Sequence, residues 1–397
     1  MPVDGSARVV IVGASTGGLT AAEALRNEGF EGPITLVGDE VHLPYRRPPL
    51  SKQVLTGEWL RERALLLDES GLSNLDLHLM LGSPASELDV AAHTVVVGGD
   101  PIPYDILIIA TGIKARRLPG VRDLPGVHTL RTVDDVDAIR ADLKTARRVA
   151  VVGSGVLGSE IASAARHLGL DVVLIGRTRT LRLGQVGDHL SDLIEELHRA
   201  NEVEVRTGAH VIDARAAGAR LVLELSDGAV VETDLVIVAI GGVPATDWLA
   251  GSGLDLSDGV ICDATGQAAA DVYAVGDVAQ WREQAGRPVL RAEHHLNAVE
   301  QALAVAHLLV TGESSPAIVP FFWSELHDTR IQAYGRFATE APLEAIAGDM
   351  AEHRFVAASR DDGRITGVVG WNMPRDFRDA RTLVDASTSA PYQGVPS

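Results

Sequence analysis

A strand, a glycine turn and a helix form a unit that occurs twice in this chain and constrains its fold strongly. The first copy is RVVIVGASTGGLTAAEALRNEG at residues 8–29, and the second is RVAVVGSGVLGSEIASAARHLG at residues 148–169. In each copy a run of β-branched residues favours a strand, and the alanine-rich stretch after it favours a helix. A second apolar run, PITLVGD or DVVLIGR, follows each helix. Two such strand–helix–strand units predict two parallel sheets in an α/β fold.

The glycine turn of each unit has the spacing of a dinucleotide-binding fingerprint. Its three key positions are Gly13, Ser15 and Gly18 in the first unit and Gly153, Gly155 and Gly158 in the second. The first position permits a tight turn, the second lets a pyrophosphate approach the backbone, and the third lets helix and strand pack closely. The helix N-terminus then offers N–H groups to phosphate. We expect two dinucleotide sites, and the alternative is two ordinary glycine-rich turns.

The end of the second strand distinguishes the two predicted sites, because an acid there binds ribose hydroxyls. Asp39 ends the strand of the first unit and suits an adenosine ribose. In the second unit we place Gly176 at the corresponding position, followed by Arg177 and Arg179. A missing acid with nearby arginines favours a 2′-phosphate, and hence NADPH over NADH. The alternative is that both arginines are solvated loop residues.

Composition excludes several classes of protein and site. The chain has 397 residues and a formal net charge of −19, which disfavours nucleic acid and anionic membranes as partners. No apolar run approaches the ~20 residues of a membrane span. The N-terminus lacks a signal-peptide pattern and Cys262 is the single cysteine, so we expect a cytoplasmic protein without an internal disulfide. With neither C-x-x-C nor H-E-x-x-H present, we expect no metal site.

Segments outside the two units carry a more specific signature. They are LPYRRPPLSK (43–52), DILIIATG (105–112), LRTVDD (130–135), VYAVGDVA (272–279), HHLNAVEQA (294–302), VPFFWSELHDTRIQAYG (319–335) and GVVGWNMPR (367–375). With the two fingerprints, they make the chain resemble the FAD-dependent NAD(P)H–ferredoxin reductases of the putidaredoxin, rubredoxin and biphenyl-dioxygenase type. The resemblance runs nearly end to end, and RPPLSK and FWSE are its most discriminating motifs.

The resemblance implies an α/β fold with two Rossmann-like dinucleotide-binding domains and a C-terminal α+β interface domain that contains an antiparallel sheet. It implies a discontinuous FAD domain at 1–113 and 244–319, an NAD(P)H domain at 114–243 and the interface domain at 320–397. The implied activity passes electrons from NADPH or NADH through FAD to a 2Fe–2S ferredoxin that supplies an oxygenase, for example a haem monooxygenase. We expect a monomer or a weak homodimer.

The resemblance also implies roles for individual residues. Arg47 contacts FAD, while Lys52 lies near the flavin N5 and pairs with Glu160, so that a held cation stabilises the anionic reduced flavin. The alternative is a loop lysine and a helix glutamate that never meet. Further FAD-binding residues are Gly17, Ala85, Thr111, Gly112, Arg131, Asp277, His295 and Trp323. Further NAD(P)H-binding residues are Val156, Leu157 and Gly241, with Glu160 at the same site.

Two of these positions have a second interpretation. Trp323 either directs its ring toward the flavin or is a core tryptophan. His295 stands where many members of the family carry tryptophan, and it is either a titratable group at the flavin edge or a neutral spacer.

Two other functions share every nucleotide motif. One is an NAD(P)H oxidase or a reductase of quinones and other small molecules, and the other is a non-enzymatic flavin redox sensor. The single cysteine argues against a thiol relay, since Cys262 lies far from the PPLSK loop and suits inert packing.

Overall fold

The computed structural model describes residues 2–121, 124–178, 181, 186–282, 293–337 and 342–384. The chain divides into two units. Unit 1 contains Met1–Arg46, Ala64–Lys114 and Val243–Ile318, and unit 2 contains Arg47–Arg63, Ala115–Gly242 and Val319–Ser397. The two fingerprint motifs fall in different units. The predicted three-domain boundaries remain a prediction.

Unit 1 is built on a six-stranded sheet with the order β19-β20-β7-β1-β2-β3. Its strands are β1 (Val9–Val12), β2 (Ile34–Val37), β3 (Leu77–Met80), β7 (Ile106–Ile109), β19 (Gln267–Ala269) and β20 (Val272–Ala274). Strands β20, β7, β1, β2 and β3 are parallel, and β19 is antiparallel to β20. Strands β1 and β7, VVIV and ILII, are buried along their whole length, as expected for a parallel sheet covered on both faces.

The two faces of this sheet are covered by different kinds of element. Val9 and Ile11 pack in a cluster with helices α1 (Thr16–Asn27) and α7 (His295–Thr311), whereas Val10 and Val12 pack in a second cluster. The second cluster takes in a three-stranded antiparallel sheet and a pair of short strands. These strands are β4 (Ala85–Asp89), β5 (Thr94–Val97), β6 (Asp100–Pro103), β18 (Val260–Cys262) and β21 (Ala279–Trp281). A short helix, α3 (Glu69–Ser73), also lies in unit 1.

Unit 2 repeats this layering around a five-stranded parallel sheet with the order β12-β11-β10-β16-β9. Its strands are β9 (Val127–Thr129), β10 (Arg148–Val152), β11 (Asp171–Gly176), β12 (Val203–Thr207) and β16 (Leu235–Val238). Its helices are α2 (Gln53–Thr56), α4 (Val133–Leu143), α5 (Val156–His167) and α6 (Ser191–Ala200). A three-stranded antiparallel sheet packs in one cluster with Ala150 and Val152 of β10. Its strands are β13 (Val211–Ala217), β14 (Arg220–Leu225) and β15 (Val230–Thr233).

The C-terminal part of unit 2 is a five-stranded antiparallel sheet with the order β22-β23-β26-β25-β24. Its strands are β22 (Phe321–Leu326), β23 (Thr329–Gly335), β24 (Glu344–Asp349), β25 (Arg354–Asp361) and β26 (Arg364–Trp371), followed by helix α8 (Pro374–Ala380). The sequence predicts antiparallel strands at RIQAYGR and ITGVVGWNM, and Ile331 pairs with Trp371 in that sense. The prediction of an α/β fold with a C-terminal antiparallel sheet is therefore confirmed.

Two short strands, β8 (Ile113–Ala115) and β17 (Gly242–Pro244), pair where the chain passes from one unit to the other. Strand β8 follows the apolar run DILIIATG (105–112), and β17 follows the apolar run DLVIVAIG (234–241).

Candidate functional site

The carboxyl ends of four neighbouring strands lie level with one another in unit 1. Val12 of β1 pairs with Val37 of β2 and Ile109 of β7, and Ile109 pairs with Ala274 of β20. Open parallel sheets bind ligands in the crevice outside these ends. The segments that leave the four strands contain the predicted residues Gly13, Asp39, Thr111, Gly112 and Asp277. The fold therefore brings these five residues to one edge of the sheet.

The same arrangement occurs in unit 2. Val152 of β10 pairs with Ile175 of β11 and with Val238 of β16. The segments that follow these strands contain the predicted residues Gly153, Gly155, Arg177 and Gly241. Val156, Leu157 and Gly158 lie in the first turn of α5, as Gly17 and Gly18 lie in the first turn of α1. Each unit therefore has a crevice at the carboxyl edge of its parallel sheet, next to the residues of its fingerprint.

The two fingerprint turns have nearly identical backbones. Gly13 and Gly153 have φ of +124° and +127°, where a side chain is strained. A Cβ at Gly18 would lie 1.9 Å from the Gly13 carbonyl oxygen, and a Cβ at Gly158 would lie 1.8 Å from the Gly153 carbonyl oxygen. Ser15 is the N-cap of α1 but makes no side-chain capping bond, and Gly155, the N-cap of α5, has no side chain to cap with. Both helix N-termini therefore suit a pyrophosphate group.

We expect two alanine substitutions in the second fingerprint to have different effects, one on nucleotide binding and the other on stability. The space around Gly155 is open to 4 Å, so Gly155→Ala will fold normally. Its methyl group will lie where the pyrophosphate approaches the backbone and will raise the Kd for NAD(P)H about tenfold or more. Gly158→Ala will instead lower the free energy of unfolding by about 2 kcal/mol or more, because its methyl group meets backbone. Fluorescence titration and urea unfolding measure the two effects. Equal losses of stability in both variants would contradict this account.

In unit 2, the residue equivalent to Asp39 lies one position later than the position assigned from the sequence. Gly38 and Gly176 both pack against the fingerprint turn, since an added Cβ would lie 2.8 Å from the Cβ of Ala14 and 2.2 Å from the Oγ of Ser154. The true equivalent of Asp39 is therefore Arg177, not Gly176, because Gly176 matches Gly38. Asp39 and Arg177 are both exposed, as suits residues that reach a ribose. Arg179 lies outside the described residues.

His295 is the first residue of α7 and lies beside the first turn of α1 in unit 1. Its Nδ1 lies 3.3 Å from the Oγ1 of Thr16, in the first turn of α1. Burial lowers the pKa of His295, the positive charge of Arg46 lowers it further, and the carboxylate of Asp277 opposes the shift. The ring is therefore neutral at pH 7, which favours the neutral interpretation of this residue.

The turn that carries Asp277 is held from α7. The side-chain Oε1 of Gln301, which is buried in α7, accepts a 2.7 Å hydrogen bond from the backbone N–H of Gly276. Neither Thr16 nor Gln301 is marked by sequence reasoning, although Gln301 lies inside the HHLNAVEQA motif. Ala85, another predicted FAD-binding residue, is the first residue of β4.

The strongest polar cluster of unit 2 surrounds Glu160 on α5. Lys52 Nζ lies 2.7 Å from Glu160 Oε2, and both side chains are largely buried. Ser51 Oγ donates to the same oxygen at 2.6 Å, and Ser324 Oγ donates to Oε1 at 2.8 Å. The predicted pair of Lys52 and Glu160 thus meets in space. Ser51 and Ser324 are missed from sequence, although both lie inside the quoted motifs.

The PPLSK segment is shaped so that its lysine turns inward. Pro48–Ser51 forms one 3-10 turn, in which the prolines restrict the backbone. The Lys52 ammonium also donates to the carbonyl oxygen of Pro48 at 3.1 Å, which folds the side chain back along the turn. Leu50 and Ser51 are fully buried and anchor the segment.

Two further predicted FAD-binding residues of unit 2 are adjacent. Arg47 Nη1 donates to the carbonyl oxygen of Arg131 at 2.6 Å. Arg131 immediately precedes the capping box of α4, in which Asp135 accepts from the backbone N–H groups of Arg131 and Thr132. The ring of Trp323 is half-buried and stacks on Phe321 at a centroid distance of 6.0 Å.

The single cysteine has no catalytic environment. Cys262 is buried, and burial raises the pKa of its thiol to about 12, so it stays protonated. Among the described residues no group of histidine, cysteine and acidic side chains is arranged to hold a metal ion. In the same part of the chain no helix is long and apolar enough to cross a membrane.

Known proteins similar to this chain cover nearly all of it. The family described as pyridine nucleotide-disulphide oxidoreductase matches residues 7–302, and the reductase C-terminal family matches residues 321–395. The benzene 1,2-dioxygenase system ferredoxin–NAD(+) reductase subunit of Pseudomonas putida is 35% identical, over 95% of this chain and 92% of that protein.

Two solved structures of such reductases have the same fold. Putidaredoxin reductase, in its covalent complex with putidaredoxin, has a TM-score of 0.89 at 28% identity and matches 95% of this chain and 92% of its own. The ferredoxin reductase for the CYP199A2 system of Rhodopseudomonas palustris has a TM-score of 0.89 at 30% identity and matches 95% of this chain and 94% of its own.

Proposed function

Because the chain belongs to the pyridine nucleotide-disulphide oxidoreductase family, we propose that it works as the ferredoxin reductases in that family do. It passes electrons from NAD(P)H through FAD to a 2Fe–2S ferredoxin that serves an oxygenase. The observation that carries this assignment is the buried pair of Lys52 and Glu160, in which the lysine comes from a PPLSK segment without a cysteine. With Cys262 buried and protonated, electrons leave for an external acceptor.

The residues at the crevice of unit 1 fit FAD. Gly13 and Gly18 leave no room for a side chain, so a ligand could approach the backbone closely, and the N-terminus of α1 would bind its pyrophosphate. Asp39 would accept hydrogen bonds from the adenosine ribose, and Asp277 from the ribityl hydroxyls. FAD supplies the conversion between the two-electron chemistry of a nicotinamide and the one-electron chemistry of an iron–sulfur cluster.

Lys52 and Glu160 carry the electrostatic part of the mechanism. With FAD bound, the Lys52 ammonium would stabilise negative charge on the reduced cofactor, and the Glu160 carboxylate, 2.7 Å from it, would hold that ammonium in place. Because the pair is largely buried, its field is screened less than it would be in water. Arg47 and Arg131 are the two further FAD-binding residues that the resemblance implies in this part of the chain. No protein nucleophile takes part.

For the second nucleotide we propose NADPH in preference to NADH. Arg177 stands at the position where the first fingerprint unit has Asp39, so a guanidinium replaces the acid that would repel a 2′-phosphate. Arg177→Ala will lower kcat/KM for NADPH about tenfold or more, with little change for NADH. Steady-state kinetics with both nucleotides measure the ratio. Arg215→Ala, an exposed arginine on β13, is the matched control. An unchanged ratio in Arg177→Ala would refute the NADPH preference.

The acceptor is tested by anaerobic stopped-flow reduction of the purified flavoprotein by NADPH. The reduced enzyme is then mixed with a 2Fe–2S ferredoxin, with oxygen or with a quinone. Fast reoxidation by the ferredoxin and slow reoxidation by the other two is the expected result. Reoxidation only by oxygen or quinone would make the protein an oxidase or a small-molecule reductase. Slow reoxidation by all three would make it a redox sensor.

A further inference from the structure

A polar seam within unit 2 joins helix α5 to the first hairpin of the C-terminal sheet. Glu160 and Ser163 are three residues apart on α5, and Ser324 and His327 are three residues apart on β22 and the turn after it. Ser324 Oγ donates to Glu160 Oε1 at 2.8 Å, and the backbone N–H of His327 donates to Ser163 Oγ at 2.6 Å. Since residues three apart share one face of a helix, the two bonds form a two-point attachment.

The two attachments differ in what they reach. The hydrogen bond at Ser163 joins its hydroxyl to the backbone N–H of His327 and involves no group that contacts Lys52. The bond at Ser324 ends on the Glu160 carboxylate, whose other oxygen accepts from Ser51 Oγ and from Lys52 Nζ. Ser51, Ser324 and Glu160 are all buried. Hydroxyls on both oxygens favour one plane for the carboxylate, because rotation out of that plane would break the hydrogen bonds from both buried serines.

We propose that Ser51 and Ser324 are positioning residues for Lys52. They act through Glu160, whose orientation they set, and the ammonium of Lys52 follows the carboxylate that they hold. Ser324 belongs to the C-terminal sheet, so this sheet helps to fix the position of the Lys52 ammonium. The inference rests on the proposed function in one respect, namely that Lys52 serves the flavin.

The first test measures how tightly Lys52 is held, by acetylation of the holoenzyme with an N-hydroxysuccinimide ester. The lysines of the chain are Lys52, Lys114 and Lys144, so peptide mass spectrometry follows each of them. The Lys52 side chain is 13% exposed and that of Lys114 is 58% exposed, so Lys52 will react slowly relative to Lys114. Ser324→Ala will speed the acetylation of Lys52 about fivefold, the factor expected for one lost hydrogen bond.

Matched variants separate positioning from general loosening of the seam. Ser163→Ala removes the other hydroxyl of the same seam and will leave the acetylation of Lys52 at the wild-type rate. Ser324→Thr keeps a hydroxyl and will restore slow acetylation. If Ser324→Ala does not fold, Ser51→Ala tests the same carboxylate from the other side. Wild-type rates in Ser324→Ala and Ser51→Ala, or equal acceleration in Ser163→Ala, would overturn the proposal.

The midpoint potential of the bound flavin gives a second readout. We expect it to be more negative in Ser324→Ala and unchanged in Ser163→Ala, because a less firmly held cation stabilises the reduced cofactor less. The two proposals fail separately. Slow acetylation that depends on Ser324 in an enzyme that does not reduce ferredoxin would overturn the function and keep the positioning. Normal ferredoxin reduction with unchanged acetylation and potential would overturn the positioning alone.

Discussion

Removing the charge of Glu160 by Glu160→Gln will slow the reduction of the flavoprotein by NADPH about 100-fold and lower its free energy of unfolding by ~3 kcal/mol. The reason is that Lys52, whose side chain is 13% exposed, then keeps its charge without a carboxylate 2.7 Å away. Lys52→Met will have a similar effect, because it leaves the buried carboxylate with only the hydroxyl donors Ser51 and Ser324. Stopped-flow absorbance and urea unfolding measure the two losses.

The double variant Lys52→Met/Glu160→Gln decides whether the two residues act as a unit. Removing both charges of a buried pair costs less stability than removing one, so we expect the double variant to be more stable than either single variant. Its rate of reduction will be no lower than theirs, since residues that act together do not lose activity additively. The control is the pair of Glu195, which is partly exposed, and Arg199, which is exposed, on α6; its Glu195→Gln variant will change stability by about 0.5 kcal/mol or less. Additive losses in the double variant would show that Lys52 and Glu160 work independently.

Acidification from pH 6.5 to pH 4.5 will destabilise the protein through a buried pair of imidazoles, by about 2 kcal/mol for each histidine that is protonated on unfolding. His327 Nε2 lies 3.2 Å from His198 Nδ1, and His198 is fully buried on α6. Burial lowers the pKa of His198 to about 3, with a further contribution from the charge of His327. Burial also lowers the pKa of His327 to about 4, where the charge of Arg166 adds to the shift and Asp328 opposes it.

The sign follows from the direction of both shifts. The unfolded chain protonates its histidines near pH 6.5, whereas the folded pair stays neutral until about pH 4. The stability that the neutral pair contributes is therefore complete above pH 6.5 and is lost as the pH falls below that value. Urea unfolding at a series of pH values measures the slope.

His198→Phe will flatten this slope, because it removes the more deeply buried imidazole. His307→Asn, at a partly exposed histidine beside Glu28, will keep the wild-type slope and serves as the control. A slope in His198→Phe equal to that of the wild type would assign the acid sensitivity to the carboxylates instead.

Local patterns in the chain predicted both nucleotide sites. A glycine turn between a strand and a helix depends on neighbouring residues alone, and the structure keeps Gly13, Gly18, Gly153 and Gly158 in the positions that the spacing requires. The sequence assignment that matched Asp39 with Gly176 was one residue off, because Gly176 matches Gly38 and Arg177 matches Asp39. Only the structure reveals this offset, through the packing of Gly38 and Gly176 against the two fingerprint turns. The sequence of a strand does not indicate which of its last residues packs against the turn.

The sequence by its local order therefore determined the α/β class, the two crevices, the antiparallel C-terminal strands and, through family resemblance, the pairing of Lys52 with Glu160. Tertiary structure alone decided what holds that pair. Ser51 and Glu160 are 109 positions apart, Ser324 and Glu160 are 164 apart, and His198 and His327 are 129 apart. Serine and histidine occur at many exposed positions, so residue type does not reveal which of them are buried. Only tertiary packing removes these groups from water: α5 packs against the C-terminal hairpin and the PPLSK turn, and His198 on α6 meets His327. Once buried, hydroxyls and imidazoles need hydrogen-bond partners within the protein.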